Sequence, residues 1–275
     1  MSAADPNAVY ALGRSSAESE RLRRQADELA PESAELLDPV PLRAGDSAID
    51  VGCGPRGVVD LLSERVSPGG RVVGLDANPA HVAMASEFAA QSGLKDVEFV
   101  CADARDTGIE SDSFDVVHAR ALLINLPEPA EVLTELVRLA RPGGWVVGLE
   151  PDVGAAVCYP PLPALDRLTE IFRLAFTRNG ADSELGRRLG ELYRGAALVD
   201  VGVDARARAY PVGHSRRTLR PDLVRAVRPE IVELGIADER ELDELDAAVR
   251  RHFDDPATVV VPSLVFLAWG RKPVA

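Results

Sequence analysis

The sequence predicts an α/β fold in which a mostly parallel sheet is covered by helices on both faces. Short apolar runs alternate with helical patterns between residues 48 and 150, and this alternation is typical of parallel strands joined by helices. A glycine-rich turn follows the first run, and an acidic residue ends the second. Together these features predict one main domain with a ligand site beside its first two strands.

The chain begins with a predicted helix over residues 15–29. Charged residues occupy one side of this segment and Leu22 and Leu29 the other, and Ser15 with Glu18 has the spacing of a capping box. The helix is expected to end before Pro31. Residues 1–40 therefore form an expected helical extension that precedes a domain over residues 41–275.

The predicted strands and helices then follow in order. Asn78 is expected to cap a helix with Pro79 at its first position, and Pro-Gly-Gly segments precede the second and fifth strands. Expected strands cover residues 48–51, 71–76, 97–102, 114–118, 145–150, 199–210 and 258–269, and expected helices cover 162–176 and 184–197. The amphipathic stretch 216–255 predicts a helical cap, together with 155–181.

Composition excludes several classes of protein. A formal net charge of −13 over 275 residues, without a basic run, disfavours nucleic-acid partners. The three cysteines are too scattered for a disulfide framework or a clustered zinc site. No leader pattern and no apolar run of about 18 residues is visible, so we expect a soluble, cytoplasmic protein that does not enter membranes.

The segment Ala48 to Gly57 predicts a strand, a glycine-rich turn and the start of a helix. Gly52 and Gly54 let the backbone approach a ligand closely. Asp76 ends the second strand, where an acidic side chain accepts hydrogen bonds from ribose hydroxyls. The glycine turn and the distal acid together predict a nucleoside site.

Asp50 lies inside the glycine motif itself, and in this respect the segment resembles class I S-adenosylmethionine-dependent methyltransferases. The resemblance implies a Rossmann-like, seven-stranded sheet. It also implies that Asp50, Gly52 and Gly54 hold the methionine part of S-adenosylmethionine and that Asp76 holds its ribose. Arg56 occupies the usual third glycine position and Gly57 follows it, so Gly57 is retained as a weaker cofactor residue.

Further motifs extend the resemblance over about residues 45–152. Phe114 to Arg120 is similar to the fourth-strand motif of small-molecule members, and Arg141 to Gly144 is similar to the turn before their fifth strand. Asp103 would bind the adenine amino group, or else only cap a turn. The residues expected to bind the cofactor also include Ala77, Ala104, Ala119 and Arg120. For Arg120 three partners are open: the cofactor carboxylate, a substrate anion or a nearby aspartate.

The resemblance implies transfer of a methyl group to a small organic acceptor, expected to be a specialised metabolite. The magnesium-ligand pattern of catechol-type members cannot be placed, and the Pro-Pro motif of nucleic-acid amino methylators does not follow Phe114. The predicted reaction is therefore a metal-independent in-line displacement. Two alternatives stay open: a nucleotide-dependent oxidoreductase, and a cofactor-binding scaffold without turnover.

Candidates for contact with the acceptor are weaker. His118 is a possible general base or a buried histidine. Tyr10, Tyr159 and His214 are candidates for the substrate mouth, with Tyr10 and His214 also weak catalytic candidates, although each residue type more often packs or faces water. Residues 1–30 are expected to close as a lid over the cofactor. In a homo-oligomer this lid could come from a neighbouring subunit. The alternative is a helix that only covers the sheet.

Overall fold

A computed structural model describes residues 16–178 and 180–274, with the side chains of residues 16 and 17 left out. The strands are β1 Ser47–Val51, β2 Arg71–Asp76, β3 Val97–Cys101, β4 Phe114–Arg120, β5 Ala140–Asp152, β6 Val157–Tyr159, β7 Val199–Ala207, β8 Val259–Val261 and β9 Leu264–Arg271. The α-helices are α1 Ser16–Glu28, α2 Ala30–Leu37, α3 Val59–Val66, α4 Pro79–Gln91, α5 Pro129–Leu139, α6 Pro163–Arg178, α7 Leu189–Gly195, α8 Leu219–Ala226, α9 Arg228–Glu233 and α10 Glu239–Phe253.

Seven strands form one sheet in the order β3-β2-β1-β4-β5-β9-β7, and β6 pairs with β8 in a small second sheet. The first five strands run parallel, whereas β9 is antiparallel to both β5 and β7. The predicted α/β fold with a mostly parallel, seven-stranded sheet is confirmed. Because β1 lies between β2 and β4 and the three strands run parallel, their carboxyl ends lie side by side.

Apolar cores lie on both faces of the sheet, which explains why its central strands are continuous apolar runs. One core joins the sheet to α2 and α3 and includes Leu36, Leu37, Val59 and Leu62. The other core joins it to the helices that follow β4. Helices thus cover both faces, as predicted, whereas the edge strand β7 is largely exposed along its length.

The helix signals near the start of the chain are mostly confirmed. Asn78 caps α4, its side chain accepting the Ala80 N–H at 3.0 Å, and Pro79 occupies the first helical position. The N-terminal helix ends at Glu28, before Pro31 as predicted. A second helix, α2, which the sequence interpretation missed, begins at once, because proline is tolerated in a first helical turn.

Two predictions for the second half of the chain need correction. The run 258–269 is not one strand: Pro262 lacks an N–H and separates β8 from β9, which belong to different sheets. The predicted helix 184–197 begins as a 3₁₀ turn at Leu185–Arg188 before α7. The stretch 216–255 is helical, as expected, and its helices α8 and α10 pack against α6. In the described part of the chain, no helix has the length and apolar character needed to cross a membrane.

Arg217 joins the cap to the small sheet. Its side chain is only 3% exposed and has no partner carboxylate among the described residues. It instead donates hydrogen bonds to four backbone carbonyls at 2.6–3.0 Å, those of Phe253, Tyr210, Asp255 and Thr258. One guanidinium therefore satisfies acceptors that the irregular chain around β8 leaves without strand partners.

Replacing Arg217 with Met should lower the free energy of unfolding by about 3 kcal/mol or more, because several buried carbonyls lose their donors. Chemical denaturation followed by circular dichroism measures this change. Arg240→Met is the matched control, since Arg240 is 80% exposed, and it should change stability by roughly 0.5 kcal/mol at most. Equal effects of the two variants would contradict this account of Arg217.

Candidate functional site

The glycine turn after β1 is organised by the buried carboxylate of Asp50. Asp50 and His118 are register partners on β1 and β4, and Oδ1 of Asp50 lies 2.7 Å from Nδ1 of His118. Oδ2 accepts the Val58 N–H at 2.8 Å. Gly57 has φ +65°, and a Cβ there would collide with Oδ2 of Asp50. The third glycine of the turn is therefore Gly57, displaced by one position from the usual spacing.

Arg56, which occupies the usual glycine position, points away from this turn. Its guanidinium forms ion pairs with Asp27 of α1 and Asp60 of α3 and lies over the Phe88 ring, 4.6 Å from the centroid. Arg56 thus connects the N-terminal helix to the glycine turn. Arg56, although it stands at a glycine position of the motif, is therefore engaged in ion pairs outside the turn.

Asp76 closes the other side of the turn. Its Oδ2 accepts the Gly54 N–H, and its Oδ1 accepts the Asn78 N–H, both at 2.8 Å. Nδ1 of His81 lies 3.5 Å from the same Oδ1. The carboxylate is held by backbone donors and keeps part of its surface exposed, at 15%, so it can still accept hydrogen bonds from a ligand.

These residues surround a cavity of about 1110 Å³, called the cofactor cavity below. Nine of the ten residues predicted to bind cofactor line it: Asp50, Gly52, Gly54, Gly57, Asp76, Ala77, Asp103, Ala104 and Arg120. The tenth, Ala119, is buried within β4 and does not line the cavity. Its side chain packs in the core, so contact of Ala119 with the cofactor stays a prediction.

The remaining walls were missed by the sequence interpretation. They are formed by Leu22 and Gln25 of α1, the segment Ala121, Leu122, Asn125 and Leu126, and the turn neighbours Cys53, Pro55, Leu75, Asn78 and His81. A histidine in the first turn of a capped helix beside Asp76 was a usable signal for His81. No local pattern points to Gln25 or Asn125, since they belong to separate elements that only the fold brings together.

Glu150 supports the wall that follows β4. Its carboxyl is fully buried, and it accepts the N–H groups of Leu122 and Leu123 at 3.0 and 2.8 Å and that of Ile124 at 3.3 Å. Burial raises the pKa of Glu150 to about 8, against the opposing effect of these three hydrogen bonds. Ala121, with φ +48°, turns the chain there, and the Asn125 amide donates to its carbonyl at 2.7 Å.

Arg120 and Asp103 provide opposite charges to the cofactor cavity. Arg120 donates to the Gly57 carbonyl and to Ser33 Oγ, both at 3.1 Å, and no described carboxylate forms an ion pair with it. Burial lowers its pKa. Asp103 pairs with Arg105 at 2.6 Å and is 28% exposed. Burial opposes ionisation of Asp103, but hydrogen bonds from Arg105 outweigh it and keep the Asp103 pKa below its usual range.

The weak candidates for contact with an acceptor do not gather at the cavity. His118 has no exposed surface, so it cannot reach an acceptor, and its candidacy as a general base is not supported. Tyr159 is 68% exposed on the small sheet and lines no cavity described here. His214 accepts the Arg216 N–H at 3.1 Å and packs against Tyr210. Tyr10 lies outside the described residues.

A second chamber of about 660 Å³ opens beside the cofactor cavity. We call it the acceptor chamber. The two spaces share four residues, Leu22, Gln25, Ala121 and Asn125. The chamber is further lined by Arg21, Leu29, Ile124, Leu149, Pro151, Val153, Phe172, Phe176, Arg216, Leu219, Leu223, Ser263 and Val265. Helix α1 therefore forms a wall of both spaces, and α6 contributes Phe172 and Phe176 to the wall of the acceptor chamber.

Comparisons with known proteins identify the class. A family model described as "Methyltransferase domain" matches residues 49–148. The chain is 32% identical over 194 residues to an uncharacterized 37.1 kDa protein in transposon TN4556 from Streptomyces fradiae, covering 67% of this chain and 55% of that protein. It is 42% identical over 117 residues to nocamycin O-methyltransferase from Saccharothrix syringae, covering 42% and 41%. The chain spans about half the length of the curated relatives it matches.

Solved structures agree on the fold. The crystal structure of YcgJ from Bacillus subtilis superposes with a TM-score of 0.59 at 18% identity, covering 89% of this chain and 99% of that one. Residues 49–148 match the methyltransferase domain, and the fold of the chain agrees with that of the solved structure. The match supports a class I S-adenosylmethionine-dependent methyltransferase over the nucleotide-dependent oxidoreductase alternative.

Replacing Glu150 with Gln should remove a pH-dependent loss of stability. Between about pH 4.5 and about 8 the folded protein keeps the Glu150 proton while the unfolded chain has lost it, so the free energy of unfolding falls as pH rises through this window. The amide oxygen of Gln still accepts the N–H groups of Leu122 and Leu123, and the loss of the acceptor for the Ile124 N–H is a cost that does not vary with pH. The melting temperature of Glu150→Gln relative to the unaltered protein should therefore rise by several degrees between pH 5 and pH 8. A difference that stays constant with pH would contradict the burial argument.

Proposed function

We propose that the chain binds S-adenosylmethionine in the cofactor cavity and transfers its methyl group to a small organic molecule in the acceptor chamber. The observation that carries this proposal is that the two spaces are neighbours and share wall residues, among them Gln25, Ala121 and Asn125. One space has the acidic and glycine-lined walls expected for a nucleoside, and the other is mainly apolar. A donor and an acceptor can thus meet at a shared wall.

The residues of the cofactor cavity fit the chemical groups of S-adenosylmethionine. The Asp76 carboxylate has lone pairs left for the ribose hydroxyls, and Asp103 is exposed enough to accept from the adenine amino group. Arg120 faces the cavity without an ion-pair partner among the described residues and suits the methionine carboxylate. The glycine turn, with Gly54 left-handed at φ +60° and open space beside it, lets the ligand approach the backbone.

The sulfonium of the bound cofactor supplies an electrophilic methyl group. The protein then contributes alignment of the acceptor and exclusion of water. Leu22 and Leu122 place apolar side chains on the cavity wall, and α1 is fixed there by the Asp27 to Arg56 ion pair. Within the described residues there is no cluster of three or more His, Cys, Asp or Glu side chains suited to a metal, and we propose a displacement that needs no metal.

The acceptor is proposed to be a specialised metabolite. The chamber is lined mainly by apolar side chains, as small-molecule pockets are, and a net charge of −13 disfavours a nucleic-acid acceptor. Nocamycin O-methyltransferase is among the similar proteins, which supports an acceptor of this kind. Residues 1–40 are proposed to act as an extension that covers the donor.

The function is tested by incubating the purified protein with methyl-labelled S-adenosylmethionine and a metabolite extract in the presence of a strong chelator. We expect label in a small organic product identified by mass spectrometry. Transfer that appears only when magnesium replaces the chelator would contradict metal independence. Tight cofactor binding with no transfer to any extract would favour the scaffold without turnover.

Replacing Asp76 with Ala should weaken S-adenosylmethionine binding by about 2 kcal/mol, roughly 30-fold, because the ribose hydroxyls lose a charged acceptor. Isothermal titration calorimetry measures the affinity, and thermal melting checks that the fold is kept. Asp96→Ala is the matched control. Asp96 is an exposed aspartate that immediately precedes β3, at the end of that strand away from Asp76. Unchanged affinity in Asp76→Ala would remove Asp76 from the site.

A further inference from the structure

The acceptor chamber combines apolar walls with a buried cation. Phe172 and Phe176 stack with ring centroids 5.1 Å apart and supply much of the apolar surface. Arg216 lines the same chamber and is only 5% exposed. Ser263 also lines it, is 4% exposed, and has an Oγ without a hydrogen-bond partner in the described structure. Buried polar groups of this kind are normally satisfied, so they point to a ligand.

The guanidinium of Arg216 is incompletely paired by the protein. Its Nε is buried and has no hydrogen-bond partner among the described residues. The carboxylate of Glu28 lies 3.9 Å from that nitrogen, which is beyond hydrogen-bond distance, and the other oxygen of Glu28 accepts the hydroxyl of Ser215. Burying a charged guanidinium with only a distant carboxylate partner costs free energy unless an anion also binds to it.

A second buried cation lies behind the chamber wall. Arg220 is 3% exposed, its guanidinium carbon lies 5.4 Å from the centroid of the Phe172 ring, and it donates to the Val153 carbonyl. No carboxylate pairs with it in the described part of the chain. Phe172 and Val153 both line the chamber. The Glu28 carboxylate offsets part of the Arg216 charge, whereas no described carboxylate pairs with Arg220, so the two arginines together leave an excess of positive charge beside the chamber.

The chamber offers no general base. Its polar lining residues, as far as the structure describes the chain, are Arg21, Gln25, Asn125, Arg216 and Ser263. None of these side chains takes up a proton near neutral pH. An acceptor that must lose a proton during transfer, such as an alcohol or an ammonium group, would find no group to receive it among the described residues that line the chamber. An acceptor that binds already ionised needs none.

We propose that the methyl acceptor is a largely apolar carboxylic acid, bound as its carboxylate by Arg216 and converted to a methyl ester. This inference rests on the proposed function and specifies its substrate class. One carboxylate oxygen accepts from the guanidinium, while the other is free to face the shared wall at Gln25 and Asn125. The apolar body of the acid lies against Phe172 and Phe176.

The proposed step is balanced without a proton acceptor. A lone pair of the carboxylate oxygen forms the new bond to the methyl carbon as the bond between that carbon and sulfur breaks, and the bonding pair stays on sulfur. The negative charge of the acid and the positive charge of the sulfonium disappear together. Apolar surroundings favour a reaction in which opposite charges cancel, and the chamber is lined mainly by apolar side chains.

Binding is tested with matched acids and primary amides, namely 2-naphthoic, cinnamic and decanoic acids and their amides, titrated into protein saturated with S-adenosylhomocysteine. At least one acid should bind ten-fold or more tightly than its amide. Arg216→Met should abolish that preference, and Arg216→Lys should retain part of it. Arg225→Met, which removes a 60% exposed arginine of α8, should leave it unchanged. The inference is overturned if no acid exceeds its amide, or if the preference survives in Arg216→Met.

Product chemistry gives the second readout. The label transferred in the metabolite-extract assay should be released as methanol by mild alkali, as a methyl ester requires, and transfer should release no proton at constant pH. Alkali-stable label would overturn the acid assignment while leaving methyl transfer intact. Failure of S-adenosylhomocysteine to bind at the outset would instead overturn the proposed function itself.

Discussion

The buried carboxylate of Asp50 holds together the three elements on which the site depends. Through His118 it joins β1 to β4, through Val58 it fixes the start of α3, and its Oδ2 occupies the space that a side chain at Gly57 would fill. The glycine turn is therefore shaped from beneath by a charge with no access to water. Its backbone can then face the cofactor cavity, and the ligand meets the turn while Asp50 remains almost entirely covered.

Two further contacts extend this arrangement into a closed site. Arg56 pairs with Asp27 and so fixes α1 against the glycine turn, while Glu150 gathers the N–H groups of the segment that forms the opposite wall. The same two walls bound the acceptor chamber, so donor and acceptor positions are set by shared elements. The third glycine of the motif is displaced to Gly57. Arg56, which stands at the usual glycine position, connects α1 to the glycine turn.

Sequence alone predicted what depends on local chemistry. The strand segments of the parallel part of the sheet, the cap at Asn78 and the proximity of Asp50 and Asp76 follow from periodicity, capping and glycine requirements that are visible within a few residues. Gln25, Asn125 and Arg216 were missed because they come from three separate elements and reach the site only through packing. His118 was ambiguous in the sequence, and only its register with Asp50 in the sheet explains why it is buried.

The account's central claim is that the glycine turn shaped by Asp50 and the carboxylate of Asp76 form a site for S-adenosylmethionine. A crystal structure of the protein with S-adenosylhomocysteine tests this most directly. The account predicts the ribose hydroxyls on Asp76, the adenine beside Asp103 and the sulfur facing the wall at Asn125, with the acceptor chamber open beyond it. A ligand bound elsewhere, or bound in this cavity without contact to Asp76, would contradict the account.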